Sequence, residues 1–210
     1  MVRALSAAIL LLPAAAYANP AVPSFEGALG EIRAAVAATR AAQVKAKAGD
    51  IGPRLSTLAW DLDRAERDAY RLRNDLRWLL QRARRYQKPQ PGRPETDPSL
   101  RWDVQRFTRD LAQTTRDAQW RLGDLRHLSA QAEKDETLVG PASRVVDAAR
   151  RLKNESNWLV MDARFGYWDL MRAGFTFEGM DLDRNSRDLD DHARDLQSEG
   201  DKLLAKVRGS

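Results

Sequence analysis

The residues of this chain equipped for chemistry are acids and arginines repeated at helical spacing, with tryptophans set among them. WDLDRAERDAYRLRNDLRW runs from Trp60 to Trp78, and its spacing returns in WDVQRFTRDLAQTTRDAQW from Trp102 to Trp120. A third copy, MDLDRNSRDLDDHARDLQS, starts at Met180, and a fainter one leads up to Trp158. Asp61, Arg64, Arg67, Asp68 and Asp75 thus recur as Asp103, Arg106, Arg109, Asp110 and Asp117, then as Asp181, Arg184, Arg187, Asp188 and Asp195. A row of carboxylates attracts cations or basic partners. The same row with arginines three or four residues away is a salt-bridged solvent face, worth only ~0.2–0.5 kcal/mol per pair. Arg64 and Arg71 stand at that spacing from the acids, so the solvent face is expected; within the last helix Asp190 and Asp191 add charge, and a cation site is the alternative there.

Asp181-Leu182-Asp183-Arg184-Asn185 opens like a calcium loop, but its sixth position is Ser186 rather than Gly and its twelfth is His192 rather than Glu. His127 and His192 are the only histidines, and His192, aligned with Leu72 and Thr114, is expected to point inward. The chain has no cysteine, which excludes disulfides, thiolate metal sites and a lipidated N-terminal cysteine. No Glu-x-x-His pair, haem-attachment motif, nucleophile elbow or phosphate loop occurs. The expectation is a protein that is not an enzyme, with no catalytic residue, metal or cofactor assigned.

The tryptophans are less easily placed. With Leu62 as heptad position a, the acids Asp61, Asp68 and Asp75 fall at g, as do Asp103, Asp110, Asp117 and Asp124 in the next copy. Trp60 and Trp102 then fall at f, and Trp78, Trp120 and Trp158 at c, all away from the a/d seam. Eighteen residues make five turns, so each pair shares one face about 27 Å apart. In antiparallel helices Trp60 meets the level of Trp120, and Trp78 that of Trp102. Such tryptophans either form patches for a partner or are covered by another helix. The stretch from Trp158 to Met180 adds Met161, Phe165, Tyr167, Trp168, Met171, Phe175 and Phe177. Aromatics and thioethers at helical spacing read first as a core plug at a helix turn, and second as an adaptable binding surface. The candidate partner-binding residues are Trp60, Trp78, Trp102, Trp120, Trp158, Phe165, Trp168 and Met171.

These residues must be held by helices. Ala, Leu, Arg and Asp dominate and β-branched residues are few, which favours helix over sheet. Leu55, Leu58, Leu62, Ala65, Ala69, Leu72, Leu76, Leu79, Ala83 and Tyr86 alternate three and four apart. Val104, Phe107, Leu111, Thr114, Ala118, Leu125, Leu128 and Ala132 do the same, followed by Ala142 to Ala163 and by Leu182, Leu189, Leu196 and Leu203. Helices are expected at about 25–48, 54–86, 98–135, 141–173 and 177–207, with a break at Gly49 to Pro53 and a Pro-rich linker at 87–99. Leu29, Ile32 and Val36 mark the apolar face of the first. A repeat of roughly 40 residues with one helix per unit argues against a solenoid. The expected fold is all-α, an elongated antiparallel up-down bundle of four to five long helices, as a single domain over 19–210.

Met1 to Ala18 reads as a signal peptide, with one Arg3, a short apolar run and the site Ala16-Tyr17-Ala18; cleavage after Ala18 and a periplasmic or secreted location in a bacterium are expected. The formal charge of +5 comes from 35 basic and 30 acidic residues interleaved along the helices, which disfavours nucleic-acid binding. The expected function is contact with a protein partner or self-association, as envelope scaffold, adaptor or chaperone-like binder. The alternative is a bundle that binds lipid or the envelope surface, and less readily a cation-binding protein.

Overall fold

A computed structural model describes residues 25–86 and 98–209, with side chains from residue 33 onward except 40–49. The expected signal peptide and residues 87–97 of the expected linker lie outside the described residues. Two compact units divide the chain, Met1–Gln43 and Val44–Ser210. In the first, residues 33–39 are all exposed, Val36 included, so Val36 lies on no buried face there. The side chains of Leu29 and Ile32 are outside the described residues.

All secondary structure among the described residues is helical: α1 (Phe25–Tyr86), α2 (Pro98–Gln131), α3 (Glu136–Arg172) and α4 (Thr176–Arg208). Three boundaries differ from expectation. The helices expected at 25–48 and 54–86 are one, because α1 runs through Pro53. The ring removes a single backbone donor, and one turn on the hydroxyls of Ser56 and Thr57 donate to the carbonyls of Gly52 and Pro53 at 3.0 and 3.1 Å. Helix α2 begins at Pro98, as expected, but stops at Gln131 rather than near Asp135. Helix α3 begins at Glu136, ahead of Pro141, because Asp135 caps it: the carboxylate accepts the Thr137 N–H at 2.8 Å and the Thr137 hydroxyl at 2.6 Å. Such a cap contributes about 1 kcal/mol, and it lets Leu138 reach the core.

The turn into α4 is a Schellman motif. Phe175 N–H donates to Leu170 O at 2.9 Å and Gly174 N–H to Met171 O at 3.0 Å, with Gly174 at φ 87. Only glycine takes that φ without strain. Phe175 then drops into the core as the largest fully buried side chain.

Within residues 44–210 the ion pairs fix which helices are neighbours. Arg121 on α2 reaches Asp61 on α1, and Arg82 on α1 reaches Asp103 on α2, so α1 and α2 are antiparallel. Arg73, Arg77 and Arg84 on α1 meet Glu155, Asp162 and Asp169 on α3 in ascending order, so these two run parallel. By the same reasoning α2 runs parallel to α4, through Arg126 with Asp195 and Lys206 with the Ser129 carbonyl. Helices α3 and α4 are antiparallel, joined by Ser156 and Asp190. Among the described residues α2 and α3 make no close backbone approach. The bundle is therefore up-down in sequence, yet α2 and α3 face each other across its diagonal. A helix spacing of about 10 Å makes that diagonal about 14 Å, within reach of residues 132–135 at about 3.8 Å per step. The link crosses the end of α4, where Asp135 N–H donates to Val207 O at 3.1 Å.

The expected seam of α1 is buried throughout apart from a partly buried Tyr86, and the α2 and α3 seams follow the same pattern. Helix α4 departs from it. Leu182, Leu189, Leu196 and Leu203 are buried with Ser186, Ala193, Gly200 and Val207, four residues after each leucine, rather than with the d positions Asn185, His192 and Glu199. Small residues let the backbones close up: a Cβ built on Gly200 would lie 3.2 Å from Val146 Cγ2 and 3.6 Å from its Cα.

Candidate contact surfaces

The core closes without any tryptophan. All six are at least half exposed, between 50% and 66%, because heptad positions c and f face away from a seam that leucine and alanine already fill. Residues 44–210 thus leave Trp60, Trp78, Trp102 and Trp120 uncovered.

Trp60 and Trp120 are brought to one level of the α1–α2 face by their sequence neighbours, Asp61 and Arg121, whose charged groups stand 3.3 Å apart. Trp78 and Trp102 are brought together likewise by Arg82 and Asp103. Arginines lie over two of these rings, Arg82 at 4.6 Å from the Trp78 centroid and Arg106 at 5.5 Å from that of Trp102, both within cation–π range. Between the helices, Trp78, Phe107, Arg106, Asp75, Asp103 and Asp110 border a shallow recess of about 220 Å³. A second recess, bordered by Asp61, Asp68, Asp117, Arg64 and Arg121, occupies the equivalent place in the repeat.

The acid rows resolve as salt-bridged faces. The α3 row, Glu155, Asp162 and Asp169, is matched residue for residue by arginines of α1. Arg73 Nη1 stands 2.8 Å from Glu155 Oε2, but Arg73 Nε and Glu155 Oε2 are buried without an aligned hydrogen bond, so charge alone holds that contact. On α4, Asp181 pairs with Arg184 at 2.8 Å and Asp183 with Arg187 at 2.6 Å. The string that opens like a calcium loop is therefore helical and charge-matched. Among the described residues no group of three His, Asp or Glu side chains is placed to hold a metal ion.

Between Trp158 and Met180 the structure overturns the plug. Only Phe175 is the buried plug; Trp158, Met161, Phe165 and Trp168 form an exposed stripe along α3, at 50%, 46%, 71% and 58%. These are again c and f positions, and the inner face is filled by Ser156, Leu159, Ala163 and Gly166. Gly166 admits Leu80 of α1, whose Cδ1 would lie 2.5 Å from a Cβ at that position. The Gly174 turn sets Gly179 against Tyr167, whose ring meets Trp168 edge-on at 5.2 Å, and carries exposed Phe177 and Met180 to the same end. Met161, Phe177 and Met180 were not among the sequence candidates, although extending the c and f count into α4 picks them out. Met171, which was, is only partly exposed.

His192 does not enter the core. It is half-buried and lines an open groove of about 600 Å³ between α2 and α4 with Trp120 and Asp195, because the α4 seam buries Ala193 in its stead. His127 is exposed, 3.0 Å from Gln131. No described helix is long and apolar enough to cross a membrane. Comparison with family models, with curated proteins and with solved structures finds no match for this chain.

Proposed function

We propose that this protein is an exported, non-enzymatic helical bundle that acts through protein–protein contact, as a scaffold, adaptor or chaperone-like binder in a bacterial envelope. The observation that supports this reading is the exposure of all six tryptophans on a bundle whose core is complete without them. Exposed tryptophan costs solubility and adds nothing to the core, and tryptophan and arginine are the residues that most often carry interface energy. On the α1–α2 face the two occur stacked together, at Trp78 with Arg82 and Trp102 with Arg106.

The test is capture from an envelope extract by the chain carrying Trp60→Ala, Trp78→Ala, Trp102→Ala and Trp120→Ala together. The variant keeps its helicity and loses capture by roughly tenfold or more, the effect of removing interface anchors. Unchanged capture at unchanged helicity would sink the reading. Binding to anionic vesicles that depends on the same four residues would move it to a lipid surface.

A further inference from the structure

We infer that the α3 stripe is the contact between two copies of this chain, paired antiparallel about a two-fold axis that crosses the outer face of α3 at the level of Ala163. This names the partner of one aromatic face and rests on the contact reading above for that face alone.

Area is the first argument. Trp158, Phe165, Trp168 and Phe177 are 50%, 71%, 58% and 80% exposed, and Met161 and Met180 are 46% and 50%. At about 150–250 Å² per fully buried aromatic side chain, the three rings and Met161 of the α3 stripe offer roughly 450 Å², with Phe177 and Met180 beyond its end on α4. That lies within the ~300–600 Å² of the largest apolar patch on a typical monomer, a patch that is often functional. It supplies about half of the ~800 Å² per partner of a standard stable interface, the polar rim of the contact adding the rest.

Symmetry is the second. A two-fold contact requires one patch to complement itself. Trp158 and Trp168 each lie five residues from Ala163, and Met161 and Phe165 each lie two, so the stripe has the same spacing read in either direction. An antiparallel copy sets Trp158 against Trp168 and Met161 against Phe165, the latter a thioether on a ring. The carboxylates on the adjoining edge, Asp162 and Asp169, are already neutralised by Arg77 and Arg84. On the other edge the two-fold brings exposed Arg164 near Arg164 of the second copy, a repulsion that salt screens.

The chain has no cysteine, so a single introduced thiol reports the geometry without interference. The full chain sediments as a dimer at tens of micromolar, more completely at higher salt. Phe165→Arg, at a position 71% exposed, shifts it to monomer by roughly thirtyfold or more in dissociation constant with helicity unchanged. Met161→Glu does the same should the first variant fold poorly. Arg164→Cys cross-links to itself under mild oxidation, while Gln119→Cys on α2 does not. A monomeric wild type, a Phe165→Arg dimer, or equal cross-linking of both thiols would overturn the inference, as would a monomer that binds anionic vesicles through this stripe. Dimerisation is read on purified protein and on α3, whereas capture is read on the tryptophans of α1 and α2, so either idea can fail without the other.

Discussion

The hydroxyl of Ser156, fully buried on α3, lies 3.0 Å from the carboxylate of Asp190, only 4% exposed on α4. The Lys153 carbonyl is also in reach at 2.9 Å, but a hydroxyl has one proton and an ionised carboxylate is the stronger acceptor. Arg194, one turn on, holds the other carboxylate oxygen at 2.6 Å. Asp190 is thus a buried charge with both oxygens engaged. Asp190→Asn keeps an acceptor for Ser156 and breaks the charge pair, and is expected to cost about 1–3 kcal/mol; Ser156→Ala is expected to cost about 1 kcal/mol. Urea denaturation checks both, and a loss confined to a few tenths would show that the pair is solvated.

Arg73 and Glu155 give a contrasting case. Their side chains are 15% and 20% exposed, against 53% and 36% for Arg151 and Asp63 on the same pair of helices. Glu155→Gln should cost about 1–3 kcal/mol by stranding a largely buried guanidinium, whereas Asp63→Asn should cost under about 0.5 kcal/mol. Replacing both members, Arg73→Met with Glu155→Leu, should recover most of the loss. A double variant no better than the single one would show that the attraction outweighs desolvation.

Two helical glycines should respond with opposite sign. A Cβ on Gly123 meets nothing within 4 Å, so Gly123→Ala is expected to stabilise by about 0.5–1 kcal/mol through helix propensity. A Cβ on Gly166 would lie 2.5 Å from Leu80 Cδ1 and 3.1 Å from its Cγ, so overpacking of about 1–3 kcal/mol should outweigh the same gain in Gly166→Ala. Thermal melts of the two variants decide it.

Acrylamide should quench the tryptophan emission of the monomer nearly as well as that of free indole, since every tryptophan is at least half exposed. Self-association should protect Trp158 and Trp168 alone. Replacing Trp60 by Phe should alter stability by under about 0.5 kcal/mol, as for other surface changes. Weak quenching in a Phe165→Arg monomer would show the tryptophans to be covered within one chain.

Much of this was legible beforehand. The three-four spacing of Leu55 to Ala83 names the buried face of α1 because burial there follows the helix period and little else. The same count places Trp60, Trp78, Trp102 and Trp120 outside it, where the structure leaves them. Pro53 and Pro141 were misleading, since each removes only one backbone donor, a loss that a long helix with a continuous buried seam absorbs. Composition misled at Trp158 to Met180, where richness in aromatics outweighed the phase that sets them at c and f.

By itself, then, the sequence determined that the protein is helical, which faces are buried and which face carries the tryptophans, because propensity and period act within one helix. Only the tertiary structure decided which helices are neighbours. The g acids of α3 find their arginines on a parallel α1, and α2 stands across the diagonal from α3, because these depend on how whole helices rotate against one another. The same rotation moved the α4 seam by one position, burying Asp190 and Ala193 and leaving His192 at the surface. A heptad pattern marks two adjoining positions as nearly equal; packing against Ser156 and Val146, contributed by a distant part of the chain, chose between them.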